Sequence, residues 1–251
     1  TDTRVKEDYL RILRYLRFFA NYSKQPHNLE VIRKLKINID GVLKLSKERL
    51  LDELKKIIKF ETLEKIAKDK ISLDLFQIIF PELKNINIFS KLESKKKEII
   101  KEADFIFLIS LMIIDKTDNA DYFIYKFNIS KKDQKRIKII DNFYKEKIQS
   151  KTFTEDRMNR IFYFEGRQAV IDILNYQLLK SRKIDQNFDE LIKLYKNKEV
   201  PKIPIGAEVL MTKFNIPEGK QLGLKLKLIE EEWVKNNFNI SDEQVNNIIE
   251  N

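Results

Sequence analysis

Apolar residues recur at helical spacing along nearly the whole chain, and few segments alternate with the two-residue period of a strand. That pattern restricts the fold to an all-α one. Ser46 is placed to cap a helix running towards Phe60, with Glu48 and Asp52 early and Lys55, Lys56 and Lys59 late, which matches the helix dipole. Ser72 marks the start of another helix ending near Pro81. Further helices are predicted around 94–115, 118–127, 130–150, 153–163, 165–181 and 185–197. Val200-Pro201-Lys202-Ile203-Pro204-Ile205-Gly206 is the clearest break, because two prolines and a glycine cannot sit inside a regular helix. Beyond it, the turn from Gly219 to Gly223 leads into a helix carrying Leu226, Ile229 and Trp233 on one stripe, which makes Trp233 a packing residue.

The run from Phe105 to Ile114 is too short for a membrane span, which needs about 20 residues, and reads as a buried core helix. With 251 residues there is enough chain for one large domain or two modest ones. The absence of cysteine excludes disulfides and Cys-ligated zinc. His27 is the only histidine, so a His-rich metal site and a Ser-His-Asp triad have poor prospects; beside Pro26 and Asn28 it is expected in a loop between helices. Lys and Arg total 49 against 39 Asp and Glu, a net charge of +10. This excess favours a phosphate-rich partner, and aromatics such as Phe18, Phe19 and Tyr22 offer stacking, although many lysines are simply solvated helix faces.

The first segment carries the most chemistry. In Glu7-Asp8-Tyr9-Leu10-Arg11-Ile12-Leu13-Arg14-Tyr15-Leu16-Arg17-Phe18, helical spacing turns Tyr9, Leu13, Leu16 and Ala20 inward. Glu7, Asp8, Arg11 and Arg14 then share the wetter face. An ionised Asp only accepts hydrogen bonds and Arg only donates them. The pairing edges of cytosine and adenine both set an amino donor beside a ring-nitrogen acceptor, whereas guanine and uracil present the reverse. One Asp–Arg pair can therefore take C or A and reject G or U, where a mismatch leaves polar groups unpaired. The competing interpretation is that Glu7–Arg11 and Asp8–Arg11 are solvated helix pairs, each contributing about 0.2–0.5 kcal/mol. On this helix alone, the second is the stronger.

The same segment resembles the E-D-x-L-R-x-x-R-x-x-R-F signature of the class II tRNA nucleotidyltransferase (CCA-adding enzyme) and bacterial poly(A) polymerase family. Leu45-Ser46-Lys47-Glu48-Arg49-Leu50-Leu51-Asp52-Glu53-Leu54-Lys55-Lys56 is similar to that family's S-x-E-R-x-x-x-E-L-x-K helix. A third block, Gly206-Ala207-Glu208-Val209-Leu210, then Ile216-Pro217-Glu218-Gly219-Lys220-Gln221-Leu222-Gly223 and Leu228-Ile229-Glu230-Glu231-Glu232-Trp233, resembles the family's tail.

The resemblance implies an elongated all-α protein: a neck with the nucleotide-template helix over 1–115, a body over 116–200, and a tRNA-contacting tail over 201–251. It implies that Asp8 and Arg11 hydrogen-bond the base of incoming CTP or ATP, with Glu7 orienting Arg11 and Arg14 supporting the pocket. Glu48, Arg49, Glu53 and Lys56 would brace that helix. Lys213, Lys220, Lys225 and Lys227 are the candidates for RNA phosphate, and Arg167 either touches tRNA or caps its own helix. The partner implied is the acceptor arm of tRNA, in the cytoplasm.

One departure stands out. Class II enzymes carry a catalytic head with a glycine-rich turn and paired carboxylates for divalent metal, which phosphoryl transfer requires. Here Gly41, Gly166, Gly206, Gly219 and Gly223 are all separate, and no Asp-x-Asp follows a glycine turn. The expectation is therefore that this chain alone is inactive, with Mg2+ held on a head supplied upstream or by another chain. Three functions stay open: the nucleotide-selecting, tRNA-binding portion of a CCA-adding enzyme or of a poly(A) polymerase; a stand-alone RNA-binding protein without catalysis; and a helical scaffold for a protein partner.

Overall fold

A computed structural model describes residues 2–146, 153–181 and 186–250 of the chain. Helices follow one another throughout, and no strand occurs among the described residues, so the protein is all-α. Two compact units divide it, residues 1–146 and 147–251.

The first unit holds α1 (Asp2–Glu7), α2 (Leu10–Tyr22), α3 (Leu29–Ile37), α4 (Lys47–Ile57), α5 (Phe60–Lys68), α6 (Lys70–Ile79), α7 (Ser94–Glu102), α8 (Phe105–Ile113), α9 (Asn119–Lys126) and α10 (Lys131–Lys145). Short 3-10 segments lie at Ile39–Lys44 and Ile86–Ser90. Along α2, Leu10, Ile12, Leu13, Leu16 and Ala20 are buried, and the helix packs on α4, α5 and α6. Ile12 and Leu13 are adjacent, and with Leu16 they give a stripe wide enough to meet three neighbours at once. α8 is apolar almost all round and is buried from Phe107 to Ile113, packed against α9 and α10. The Asn119 side-chain amide donates to the Glu82 and Ile113 carbonyls, which ties the end of α8 to the chain before it.

Several expected boundaries move, each for a local reason. The helix expected over 94–115 is two helices, because Asp104 accepts the Phe107 N–H and starts α8 afresh. The helix expected from Ser72 begins at Lys70 with Asp69 as its cap: Asp69 accepts the Ser72 N–H at 2.8 Å, making Ser72 the donor end of the cap. Ser46 does cap α4, but that helix ends at Ile57, before Phe60. The expected ends at 150 and 185 lie outside the described residues.

The second unit holds α11 (Glu155–Glu165), α12 (Arg167–Lys180), α13 (Gln186–Asn197), α14 (Ala207–Phe214), α15 (Lys220–Lys235) and α16 (Asp242–Glu250). Gly166 ends α11 with φ +89°, a backbone conformation that side chains other than glycine rarely take, and so lets α12 start at the next residue. The non-helical stretch 198–206 carries the proline-rich break. After it, Leu210, Leu222, Ile229 and Val245 form a small core joining α14, α15 and α16. Trp233 is buried, edge-on to Tyr163 and Phe238. The Tyr163 hydroxyl donates to Glu230 at 2.6 Å; burial first, and then that carboxylate, push its phenol up to about 12.

Candidate functional site

The amino-terminal segment is two helices rather than one, and Asp8 stands at the joint between α1 and α2. Its Oδ1 accepts the Leu10 N–H at 3.2 Å, and its carbonyl accepts the Arg11 N–H, so Asp8 satisfies the otherwise unpartnered amides that open α2. The next residue fixes the joint. The Tyr9 ring lies so close to Gly41 that a Cβ there would come within 2.1 Å of it, and only glycine leaves that space.

Two arginines converge on the Asp8 carboxylate. Arg49, in the first turn of α4, donates from Nη2 to Oδ1 at 2.9 Å. Arg14 approaches Oδ2 at 3.8 Å. Arg11 turns instead to Glu7, with 3.6 Å between Nη2 and Oε2. The single helix expected through Glu7, Asp8, Arg11 and Arg14 is corrected to two helices broken at Asp8, which pairs with Arg14 and Arg49, while Arg11 pairs with Glu7. The carboxylate side chain is 23% exposed, against 42%, 44% and 50% for Arg11, Arg14 and Arg49. The result is a recessed acceptor flanked by two wetter guanidinium groups, with the Arg11–Glu7 pair beside it in sequence. Oδ2, with only its long contact to Arg14, keeps accepting capacity.

Behind this cluster, α4 supplies a second pairing. Glu53 is buried, and its carboxylate accepts from Arg17 Nε at 2.6 Å and from Lys56 Nζ at 3.3 Å. Arg17 also lies over the Phe18 ring, 4.5 Å from its centroid. Glu48, at the start of α4, is held below the usual carboxylate range by its own backbone N–H and the Ser46 hydroxyl. Thus the segments around residues 7–18 and 45–56 pack together through α2 and α4. Arg17, for which the sequence suggested no role, joins the two; its spacing of three from Arg14 was the available signal.

A third cluster lies nearby in the same unit. His27 is buried in the loop between α2 and α3. Its Nδ1 is 2.8 Å from the Tyr15 hydroxyl, and its Nε2 is 2.7 Å from Asp69 Oδ2 and 3.1 Å from Ser72 Oγ. Phe19 stacks on the imidazole with centroids 3.5 Å apart. Desolvation works to raise the Asp69 carboxylate, but hydrogen bonds from Ser72 and His27 outweigh it and hold it low. Burial, followed by the Asp69 charge, raises the Tyr15 phenol. Asp69 and Ser72 both meet the same imidazole nitrogen, which is a cross-brace between α2 and α6 and not a nucleophile–base–orienter relay.

In the second unit the candidate phosphate contacts are dispersed in their uses. Arg167 donates to the Lys198 carbonyl at 2.8 Å, and Lys225 to the Ile248 carbonyl at 2.8 Å. Lys213 lies over the Phe214 ring. Lys220 and Lys227 are exposed on α15. Among the described residues no three His, Cys, Asp or Glu side chains gather as a metal site, and no helix is long and apolar enough to cross a membrane.

Comparison with known proteins gives matches along most of the chain. A family profile described as "Probable RNA and SrmB- binding site of polymerase A" matches residues 26–87. The chain is 26% identical over 246 residues to CCA tRNA nucleotidyltransferase 1, mitochondrial, of Mus musculus, covering 96% of this chain and 55% of that protein. The Homo sapiens protein of the same name is 26% identical over 247 residues, with the same coverage. The CCA-adding enzyme of Streptococcus uberis is 25% identical over 249 residues, covering 93% of this chain and 57% of that enzyme. The chain thus spans about half the length of these relatives. At modest identity, these matches support a relationship with the CCA-adding enzyme and poly(A) polymerase family along most of the chain.

Proposed function

We propose that this chain is the nucleotide-selecting and tRNA-binding portion of a CCA-adding tRNA nucleotidyltransferase, working with a catalytic head supplied elsewhere. The observation that carries the reading is the Asp8 carboxylate, recessed between Arg14 and Arg49 with Arg11 one turn along. Asp8 Oδ2 accepts the exocyclic amino group of cytosine or adenine, and Arg11, held by Glu7, donates to the adjacent ring nitrogen. Guanine and uracil set a carbonyl against the carboxylate and an N–H against the guanidinium, and each such mismatch costs the desolvation of an unpaired group. Arg49 and Arg14 hold the Asp8 carboxylate in place. Glu48, Glu53 and Lys56 act on this pocket through α4, as supports of the side chains that touch the nucleotide.

CTP and ATP are the substrates of this reading, and the acceptor arm of tRNA is the partner. Phosphate is met by exposed lysines such as Lys213, Lys220 and Lys227, with Lys225 on the same helix as the last two and Arg167 at the start of α12. In this reading the divalent metal that nucleotidyl transfer needs is held by carboxylates of the head. The cytoplasm is the compartment of the proposal. A second reading, a portion of a poly(A) polymerase, is favoured by the description of the profile over residues 26–87. It shares the pocket and differs in the primer and in the preference for ATP alone.

The test is to combine the chain with a class II catalytic head and measure incorporation of each nucleotide into tRNA. CTP and ATP should be used and GTP and UTP nearly excluded, while Asp8→Ala and Arg11→Ala should relax that choice more than they weaken tRNA binding. Full discrimination in both variants would overturn the template assignment; addition of ATP alone to unrelated RNA ends would favour the second reading.

A further inference from the structure

One face of α2 continues past the pocket just described. Arg11, Arg14, Phe18 and Tyr22 follow at intervals of three, four and four residues, and so line up along the helix. Phe18 is 49% exposed and Tyr22 is 73% exposed, although both are large aromatic side chains next to a well-filled core. Their rings are 5.9 Å apart and tilted by 31°. The Phe18 ring is also set in place from behind: Arg17 lies over one face at 4.5 Å, and Arg17 is itself anchored on buried Glu53. A ring held this way and still half open to solvent is preorganised for a planar ligand. From Arg11 to Tyr22 the helix rises about 16 Å at 1.5 Å per residue, a span fitting about four or five stacked nucleotides.

We propose that this face is a stacking track for the single-stranded 3′ end of an RNA, running from the base-reading pocket at Arg11 and Arg14 out to Phe18 and Tyr22. Bases stack on the two rings, and the arginines meet the backbone phosphates or the terminal base. The chemistry fits RNA better than a protein occupant. The stripe is half cationic, the whole chain carries a charge of +10, and base–aromatic stacking needs no sequence match. The inference rests on the reading of the chain as an RNA-binding protein, and it adds a site outside the profile match over residues 26–87.

The experiment uses the full chain and a short oligoadenylate carrying a fluorescent adenine analogue at about the third position from its 3′ terminus, the position that reaches Phe18 when the terminus lies at Arg11. Binding should quench the analogue. Phe18→Ala and Tyr22→Ala should each weaken binding about five- to a hundred-fold, with the salt dependence unchanged, since no charge is lost. Phe18→Trp should restore affinity and quenching. Arg14→Gln should lower the salt slope by about 0.7. Both side chains are exposed, so unaltered circular dichroism is expected and separates stacking from misfolding. If wild type binds with strong salt dependence while Phe18→Ala and Tyr22→Ala bind equally well, the track is overturned and the RNA-binding reading stands. If those variants instead lose association with a catalytic head, the face is a protein contact. If wild type does not bind the probe at all, both readings fall.

Discussion

Glu53→Gln tests how the pocket is supported. The Glu53 side chain is 1% exposed and accepts from Arg17, whose side chain is 20% exposed, and from the more exposed Lys56. The amide keeps the shape and loses the charge, and turns a donor group towards a guanidinium that has only donors. Breaking a buried ion pair from one side costs about 3–5 kcal/mol, because the remaining charge stays desolvated. Arg17 keeps some water, so the lower end applies, about 3 kcal/mol. For a unit near 150 residues that corresponds to a fall in Tm of about 6–12 °C. The two units can be followed separately. Trp233, the single tryptophan, lies in the second unit, so its fluorescence reports that unit while far-ultraviolet circular dichroism reports both. The loss should appear in circular dichroism alone. Lys56→Met should shift Tm little, since an exposed partner contributes below about 1 kcal/mol. Replacing Arg17 and Glu53 together by methionine should recover much of the loss. A Tm shift under about 2 °C for Glu53→Gln would refute the claim that this pair is desolvated and structural.

Two further outcomes follow from packing and titration. Gly41→Ala should destabilise the first unit by about 1–3 kcal/mol, because a Cβ within 2.1 Å of the Tyr9 ring forces that ring and the Asp8 joint to move; denaturant titration reads this, and an unchanged midpoint would contradict the close approach. Tyr163 has its folded pKa raised to about 12 from 10, so its contribution is complete below about pH 10 and is lost as pH rises towards 12. Trp233 fluorescence melts should therefore show falling stability across that window. Tyr163→Phe should make the fall shallower, and an identical slope in the variant would exclude Tyr163 as a contributor.

Helical periodicity made the all-α fold legible, since the stripes on α2, α4 and α8 are read directly from spacing. The breaks were harder to see. At 103–104 and at 8–9 the apolar period carries on through the interruption, and what stops the helix is a short acidic side chain capturing the amides ahead of it. Asp69 outcompetes Ser72 as a cap for the same reason, reinforced by His27 from a distant part of the chain. The pocket shows the same limit. The motifs single out Asp8 and Arg49 separately, yet their 2.9 Å contact spans 41 positions and arises only when α4 packs on α2. Arg17 and Glu53 meet by the same packing. Helical spacing reports neighbours within one helix, and the partners here come from different ones.

The loop that joins α2 to α3 has a consequence for how the chain tolerates change. Ordinary connections accept insertions because their backbone faces water. This one holds His27 between a phenol, a carboxylate and a hydroxyl, with Phe19 flat against the ring. Asparagine or glutamine can offer similar polar atoms but no aromatic plane, and phenylalanine the plane but no polar atoms. Lengthening the connection by even one residue would pull the imidazole out of register with all four neighbours, so a stretch that looks like a linker is inherited as part of the interior.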